Sequence, residues 1–212
     1  MEFFTSEVIS FKFNGGWWGL ENGMKNAVLA GVKSIIENFS ARASVVKAEA
    51  YSSLRHDADI IFWTMSSTPE EVLEFKITLE KHLAQYADSV DGFLSVYESK
   101  GSVKENRYNK YFVAYPMSKD PEWYLLEGDV QKSIIAEHVK IAIDSKTNKG
   151  IVSYTTNAFG IGDNEFVVIY ELPSIPEWVM TTKELRRAEA RKWVRNESPI
   201  LAGISDGLKH FY

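Results

Sequence analysis

Apolar and polar residues follow each other in segments that predict two copies of one succession of strands and helices. Alternation with a period of two, or a short apolar run, is typical of a strand, and apolar spacing of three and four indicates a helix. In the first half we expect strand 6–13, helix 20–39, strands 44–51 and 58–66, helix 68–87 and strand 91–99. In the second half we expect strand 109–116, helix 126–145, strands 150–157 and 164–171, helix 175–195 and strand 199–205. Both halves therefore have the order β-α-β-β-α-β.

The two halves also correspond position by position. DADIIFWTMSSTPEE begins at residue 57 and DNEFVVIYELPSIPE at residue 163, and the two segments align without gaps at an offset of 106. The same offset places Trp17-Trp18 on Trp123-Tyr124. Each segment runs into a hydroxyl residue followed three positions later by glutamate, TPEE and SIPE, which is a capping-box pattern for a helix start. Several matches at one offset indicate a tandem duplication.

The duplicated order predicts an α+β fold of two ferredoxin-like units. Each unit would form a four-stranded antiparallel sheet with its helices on one face, so the other face requires cover. Two such sheets in one chain can cover each other, and we expect an α+β barrel with a cavity between the sheets. The N-terminal unit is expected over 1–99 and the C-terminal unit over 109–212, joined by the polar linker 100–108.

Composition excludes several classes of function. The chain has 24 basic and 29 acidic side chains and no basic cluster, so we expect no nucleic-acid partner. It has no cysteine, which excludes disulfides, thiolate metal sites and cysteine nucleophiles, and is weakly in favour of a cytoplasmic protein. No apolar run is long enough for a membrane span, and the N-terminus lacks the pattern of a signal peptide.

The second half carries polar residues at two positions where the first half has apolar ones. His138, in IIAEHVKI, corresponds to Val32, and Glu189, in RRAEARKW, corresponds to Leu83. Helical spacing surrounds His138 with apolar residues, so we expect the imidazole within a buried stripe. Glu189 on the neighbouring helix could accept the Nδ1–H of His138 and make its Nε2 a better metal donor. The pair could equally be a buried hydrogen bond that joins two helices.

A single histidine cannot build a closed metal site. Zinc takes three or four protein ligands, and the remaining histidines, His56, His82 and His210, show no metal-binding spacing. Haem supplies four pyrrole nitrogens itself and needs one proximal donor. A haem in the cavity, bound by His138, would fit this inventory.

Four motifs of the second half resemble those of the chlorite dismutase-like haem protein family. They are YPMSK at 115–119, EWY at 122–124, NAFGIGDNEFVV at 157–168 and RRAEARKW at 186–193, together with the helix that carries His138. The resemblance covers most of the chain and is strongest from 107 to 205. It implies a tandem ferredoxin-like α+β barrel, haem as cofactor and assembly as a homopentamer.

The resemblance also implies roles for individual residues. His138 matches the axial ligand of the haem iron and Glu189 its hydrogen-bond partner. Tyr115 and Lys119 match the tyrosine and lysine of the branch that decarboxylates coproheme to haem b with hydrogen peroxide, with coproheme as both substrate and cofactor. Met117 and Trp123 would line the same cavity, although Trp123 also matches Trp17 and could be a packing residue shared by both halves.

The distal side of the site differs from both branches of the family. Chlorite-splitting members carry an arginine on this side, and counting seven residues back from Gly160 gives Ser153, in GIVSYTTN, which has no arginine. Chlorite chemistry is therefore not expected. The decarboxylase branch often has a glutamine at this position. Three hypotheses stay open: a coproheme decarboxylase, a haem-binding peroxidase or sensor without decarboxylation, and a barrel without haem in which His138 and Glu189 are structural.

Overall fold

The strands and helices follow the predicted order in both halves. The computed structural model of the protein describes residues 2–99, 101, 103 and 109–211. The strands are β1 Glu2–Phe13, β2 Val45–Ser53, β3 Ile60–Ser66, β4 Ala87–Ser99, β5 Tyr111–Lys119, β6 Val152–Asn157, β7 Phe166–Leu172, β8 Val194–Asn196 and β9 Leu201–Ile204. The helices are α1 Gly15–Trp18, α2 Asn22–Ser40, α3 Pro69–Leu83, α4 Gly128–Asp144 and α5 Ile175–Leu185. Short 3₁₀ turns lie at Pro121–Leu125, Glu189–Trp193 and Lys209–Phe211.

The sheet closes into an antiparallel barrel. The hydrogen-bonded order β7-β6-β4-β1-β3-β2-β9-β5-β8 is completed by a pairing of β7 with β5, which leaves β8 as an addition to the end of β5. The orders β4-β1-β3-β2 and β9-β5-β7-β6 are those of two ferredoxin-like sheets. The two sheets meet at short seams, where Val96 pairs with Asn157 and Ser52 pairs with Ile204. The predicted tandem α+β barrel is confirmed.

The space between the two sheets is filled by side chains. Trp63, Phe112, Tyr51 and Ile169 are almost completely buried there, and the Tyr51 and Phe112 rings stack with centroids 4.4 Å apart. Small barrels are closed by such packing. The predicted cavity between the sheets is therefore wrong, because large aromatic residues from both halves occupy that volume.

The outer faces of the two halves differ. In the first half, Phe11, Phe13 and Phe62 of the sheet pack against α2 and α3 in a closed core. In the second half, Ile134 is the buried residue of α4, while Ile135 and Ile143 remain largely exposed. The buried stripe predicted around His138 is consequently wrong, and the helices of the second half leave open space over their sheet.

The last predicted helix is shorter in the structure, and the predicted linker is described only in part. The predicted helix 175–195 ends at Leu185, and a turn followed by a 3₁₀ segment replaces its second half. The predicted linker 100–108 lies mostly outside the described residues, so the unit boundaries 1–99 and 109–212 stay predictions. Within the part of the chain that the structure describes, none of the helices combines the length and apolarity that crossing a membrane requires.

Candidate functional site

A cavity of about 320 Å³ lies between the sheet of the second half and the helices that cover it. This volume falls within the ordinary range of small-molecule sites. Strands β5, β6 and β7 form one wall, and α4, α5 and the chain after α5 form the other. Its lining includes the predicted residues Tyr115, Met117, Lys119, Trp123 and His138. The cavity thus occupies the place that a closed apolar core fills in the first half.

Strand periodicity explains which β5 residues reach the cavity. Side chains alternate between the two faces of a strand, so Tyr115, Met117 and Lys119 share one face. Phe112 and Ala114 point to the barrel interior instead and are fully buried there. The same alternation along β7 directs Phe166, Val168 and Tyr170 to the cavity.

His138 presents an imidazole without a hydrogen-bond partner to this cavity. The residue is partly buried in the middle of α4, and none of the described residues forms a hydrogen bond with its ring. Burial, and then the positive charge of Lys119, lowers the pKa of His138 below its ordinary 6.5, while Glu137 opposes the shift. At neutral pH the ring is therefore uncharged, which is the form that donates to a metal.

Tyr115 stands in a group of aromatic side chains on the cavity wall. Its ring stacks on that of Tyr170 with centroids 6.1 Å apart, and Tyr170 lies 4.3 Å from the Trp178 ring of α5. Burial raises the pKa of the Tyr115 phenol above 10, so its hydroxyl keeps its proton at neutral pH. A phenol that keeps its proton can donate an electron and a proton together, as a hydrogen atom.

Lys119 is the one lysine among the described residues that line the cavity, and two contacts set its position. Its ammonium lies 4.5 Å from the centre of the Trp123 ring, within the range of a cation–π interaction. Its backbone N–H donates to the Glu165 carboxylate at 2.7 Å. Burial lowers the pKa of the ammonium, and the nearby Glu165 charge opposes this shift.

Two arginines that the sequence analysis did not select line the cavity as well. Glu197 lies 3.0 Å from the guanidinium of Arg186 and 2.6 Å from that of Arg191. Among the described lining residues, Lys119 and the two arginines provide three cationic groups, and Glu197 provides one carboxylate. An apolar cavity with an excess of positive charge suits an apolar ligand that carries carboxylates.

Glu189 does not contact His138. It lies in the 3₁₀ turn after α5, outside the cavity, and its carboxylate is 3.4 Å from the Lys192 ammonium. The connection between the two segments instead comes from Glu137, whose carboxylate accepts the backbone N–H of Glu189 at 2.9 Å. The predicted hydrogen bond to His138 fails because the chain leaves the helical path at Leu185 and carries the Glu189 side chain away.

Ser153 is likewise absent from the cavity lining. It lies near the beginning of β6 and is exposed, whereas Thr155, two residues further on the same strand face, lines the cavity. Thr155 is therefore the polar β6 side chain that faces α4 across the cavity. The β6 residue that lines the cavity thus lies two positions from the one predicted, and it carries a hydroxyl rather than an amide or a guanidinium.

Parts of the missed lining were visible in the sequence. Arg186 and Arg191 belong to RRAEARKW, the same motif that contains Glu189, but a helix through this motif would have pointed them in several directions. Tyr170 and Val168 follow from alternation along β7 once the cavity face is known. Trp178 and Thr182 share a face of α5 through their spacing of four.

The donor set agrees with a cofactor that brings its own ligands. Among the described residues, no group of three or more histidine, aspartate or glutamate side chains is arranged to hold a metal ion. Among the described lining residues, His138 is the nitrogen donor that could hold an iron porphyrin, which brings its other ligands itself. The residues present therefore fit a porphyrin, and Lys119, Arg186 and Arg191 would hold its carboxylates.

Comparison with known proteins assigns the chain to a family. The family model described as Chlorite dismutase matches residues 25–205. The coproheme decarboxylase of Mycolicibacterium smegmatis is 26% identical over 164 residues, which cover 72% of this chain and 69% of that protein. The crystal structure of TA0507, a provisionally assigned chlorite dismutase, is 37% identical, covers 100% of both chains and superposes with a TM-score of 0.92.

More distant structures share the fold. The chlorite dismutase of Candidatus Nitrospira defluvii, solved in complex with imidazole, is 18% identical and gives a TM-score of 0.84, with 98% of this chain and 93% of that chain covered. At this identity the likeness concerns the barrel alone. The family match over most of the chain, together with the barrel and the cavity beside His138, shows that this protein belongs to the chlorite dismutase family.

Proposed function

We propose that this protein binds an iron porphyrin through His138 and uses hydrogen peroxide to decarboxylate iron coproporphyrin III to haem b. The single observation that carries the proposal is the uncharged imidazole of His138, which forms no hydrogen bond with any described residue and lies beside a cavity that Tyr115 and Lys119 also line. Members of the family bind haem or coproheme, and a relative with 26% identity is a coproheme decarboxylase. These findings support the proposal from two sides, the site and the family.

The reaction removes two electrons from each propionate that is converted. One propionate, one hydrogen peroxide and one proton give one vinyl group, one carbon dioxide and two waters. When bound, the iron porphyrin would supply the centre at which peroxide is reduced. The protein must then hold a propionate beside a group that can transfer the oxidising equivalent.

Tyr115 is suited to that transfer. Its hydroxyl is protonated and the side chain is partly buried beside Tyr170, so it can lose an electron and a proton together and afterwards take a hydrogen atom from the propionate side chain. That transfer removes the first electron, and the oxidised iron porphyrin would take up the second as the carbon–carboxylate bond breaks and carbon dioxide leaves. Lys119 lies two residues beyond Met117 on the same face of β5, and its ammonium can bind the carboxylate that is about to leave. Arg186 and Arg191 provide charge for the remaining carboxylates.

Thr155 faces the helix side from the opposite wall of the cavity. A porphyrin bound by His138 would therefore place its second face toward β6, where the Thr155 hydroxyl can donate or accept one hydrogen bond. This wall carries no arginine from β6, which is evidence against chlorite as the substrate, since an anionic oxidant needs a cation there.

The decisive experiment is a reaction with iron coproporphyrin III and hydrogen peroxide followed by mass spectrometry of the porphyrin. We expect the loss of two carboxyl groups in the wild-type protein and unchanged porphyrin in Tyr115→Phe. Tyr111→Phe is the matched control, because Tyr111 lies on the same strand but outside the cavity lining. Unchanged porphyrin mass with the wild-type protein would refute decarboxylation, and full activity of Tyr115→Phe would remove only the role of this tyrosine.

A second function is favoured by one observation. The family resemblance led us to expect a glutamine at the position counted as Ser153, and the β6 side chain that lines the cavity is Thr155 instead. This difference favours a peroxidase or sensor that binds haem without decarboxylation. The same experiment separates the two functions: a haem protein of this kind binds the porphyrin and consumes peroxide while the porphyrin mass stays the same.

A further inference from the structure

Each half of the protein contains a carboxylate that joins the beginning of its third strand segment to the end of its first strand. In the N-terminal half this residue is Asp59, immediately before β3. The Phe13 N–H donates to the Asp59 carboxylate at 2.8 Å, and the Asp59 N–H donates to the Phe11 carbonyl at 2.8 Å. These two bonds fix the end of β1 against the start of β3.

The C-terminal half repeats both bonds at the offset of 106 residues. The Lys119 N–H donates to the Glu165 carboxylate at 2.7 Å, and the Glu165 N–H donates to the Met117 carbonyl at 3.2 Å. Glu165 thus performs at the end of β5 what Asp59 performs at the end of β1. We call this arrangement the carboxylate clasp, formed by Asp59 with Phe13 in the first half and by Glu165 with Lys119 in the second.

The two clasps hold different side chains. In the first half, Phe13 stacks on Trp17 with ring centroids 4.1 Å apart inside the closed core. In the second half, the position of Phe13 is taken by Lys119, whose ammonium lies 4.5 Å from the ring of Trp123 on the cavity wall. The same backbone geometry therefore supports a packing pair in one half and a cation–π pair facing the cavity in the other.

Each clasp has one additional contact, but with a different partner. In the first half the Lys12 ammonium, from β1 itself, donates to the Asp59 carboxylate at 3.0 Å. In the second half the Tyr124 hydroxyl donates to the same Glu165 oxygen as the Lys119 N–H, at 2.7 Å. The corresponding residue of the first half is Trp18, which has no hydroxyl and is 56% exposed. Glu165 therefore holds both ends of the segment 119–124, and this segment contributes Lys119 and Trp123 to the cavity.

The charge of Glu165 has a second effect on this segment. Burial lowers the pKa of Lys119, and the Glu165 carboxylate raises it again. The clasp consequently favours the protonated ammonium, which is the form that binds an anion. Without it, the lysine would be freer to turn away from the Trp123 ring and easier to neutralise.

We propose that Glu165 is a positioning residue: it clasps the segment 119–124 so that Lys119 and Trp123 stand together on the cavity wall, with the ammonium directed at a carboxylate of the bound ligand. This inference rests on the proposed porphyrin-binding function. It assigns to Glu165 no contact with the porphyrin and no part in the transfer of electrons.

The test measures the binding of iron coproporphyrin III. Binding is monitored by the change in porphyrin absorbance and, independently, by the quenching of tryptophan fluorescence. We expect Glu165→Ala to weaken binding by about five- to tenfold, and Tyr124→Phe, which removes only the added contact, by about two- to threefold. Asp59→Ala is the comparison variant in the other half, because it removes the equivalent backbone bond there, together with the Lys12 ion pair. It should lower the melting temperature by a few degrees, as Glu165→Ala does, and leave the porphyrin affinity unchanged.

A double-mutant cycle with Lys119→Met shows whether Glu165 acts through the lysine. Residues that act as a unit are not additive, so Glu165→Ala should cost little further affinity once Lys119 is gone. Equal weakening by Asp59→Ala, or a full additional loss in the Lys119→Met background, would overturn the inference and leave Glu165 as a stabilising residue only.

The outcomes also separate this inference from the proposed function. If the wild-type protein binds no iron porphyrin, the proposed function fails. If the wild-type protein binds it and both Glu165→Ala and Tyr124→Phe bind it equally well, the function stands and the clasp has no role in binding. Because Tyr124→Phe changes a single hydroxyl at a partly exposed site, it remains informative even if Glu165→Ala does not fold.

Discussion

The functional difference between the two halves begins with single residues at equivalent positions. Val32 is fully buried in the first half, and the equivalent His138 lies beside the cavity. Likewise Phe13, within the closed core, is replaced by Lys119 at the cavity wall. In both cases an apolar packing residue of the first half corresponds to an ionisable residue of the second half. Both ionisable residues lie on the cavity side of the second-half sheet.

The assignment of His138 can be tested by removing its imidazole. We expect His138→Ala to abolish the shift of the porphyrin absorbance on addition of iron coproporphyrin III, because no other described lining residue offers a neutral nitrogen donor. Val139→Ala, a change at the next, largely exposed position of α4, is the control and should leave the spectrum unchanged. An unaltered spectrum of the His138→Ala protein would remove the assignment of the axial ligand.

The lowered pKa of His138 also predicts how stability depends on pH. In the unfolded chain the residue titrates near its ordinary value, whereas burial and the Lys119 charge keep the folded ring neutral to lower pH. Below pH 6.5 the unfolded state therefore binds more protons at this residue, and the folded state loses stability as the pH falls.

Thermal unfolding of the ligand-free protein checks this expectation. The fall in melting temperature between about pH 7.5 and about pH 5.5 should be smaller for His138→Ala than for the wild-type protein. His56, His82 and His210 are present in both proteins and form a common background. An equal fall in both would show that His138 does not titrate differently in the folded state.

At the scale of elements, the crossing of the two helices is built differently in each half. In the first half the His82 ring of α3 lies over Gly31 of α2 and is 2.8 Å from the Val28 carbonyl. The equivalent of Gly31 is Glu137, whose carboxylate instead bonds the backbone of the 3₁₀ turn after α5. The first pair of helices is thereby packed closely, whereas in the second half a charged side chain bridges the two elements and α5 stops early.

Gly31 is therefore a sensitive position in the first pair. A methyl group at Gly31 would lie 2.3 Å from the His82 ring, so the ring must move and lose its hydrogen bond. We expect Gly31→Ala to lower the free energy of unfolding by about 0.5–1.5 kcal/mol, the net contribution of one hydrogen bond. Chemical denaturation measures this difference.

Gly23→Ala in the same helix is the control for helix propensity. No atom lies within 4 Å of the added methyl group there, so alanine should be neutral or stabilise the protein by up to about 1 kcal/mol. Equal effects of the two substitutions would show that the crossing of α2 and α3 tolerates a side chain at Gly31.

At the scale of the whole molecule, a buried ion pair joins the two halves inside the barrel. The Lys47 ammonium of β2 lies 2.8 Å from the Glu171 carboxylate of β7, and both side chains are 5% exposed. The Tyr154 hydroxyl donates to the other Glu171 oxygen at 2.8 Å. The seams between the two sheets are short, so this network is a substantial contact across the interior.

Removal of one partner should be costly because it leaves the other charge buried and unpaired. We expect Lys47→Met to lower the free energy of unfolding by about 3–5 kcal/mol, with much of the loss recovered by Glu171→Leu in the same chain. Lys140→Met removes an exposed pair with Asp144 and should cost no more than about 0.5 kcal/mol. A small effect of Lys47→Met would mean that water or rearrangement compensates the Glu171 charge.

The expected homopentamer and the expected cytoplasmic location stay predictions. α4 exposes Ile135, Val139 and Ile143 on one side, at spacings of four. Assembly into a pentamer would give a mass in solution of five chains. Light scattering of the purified protein measures its mass in solution directly.

The sequence by itself determined the duplication, the order of strands and helices, and five of the residues that line the cavity. Tyr115, Met117 and Lys119 were selected through the resemblance of YPMSK to a family motif, and alternation along β5 explains why all three reach one face. The comparison of the halves singled out His138 because a repeat makes an exchanged residue visible.

Only the tertiary structure decided which side of the sheet holds the cavity and which neighbours complete it. Periodicity separates two faces of a strand but does not say which face meets helices and which meets another sheet, and so the cavity was expected on the wrong side. Glu189 is excluded from the cavity lining because α5 ends at Leu185. Whether Ser153 or Thr155 lines the cavity depends on how far along β6 the cavity lies. Such details follow from the fit of whole elements in three dimensions, and local sequence carries little of that information.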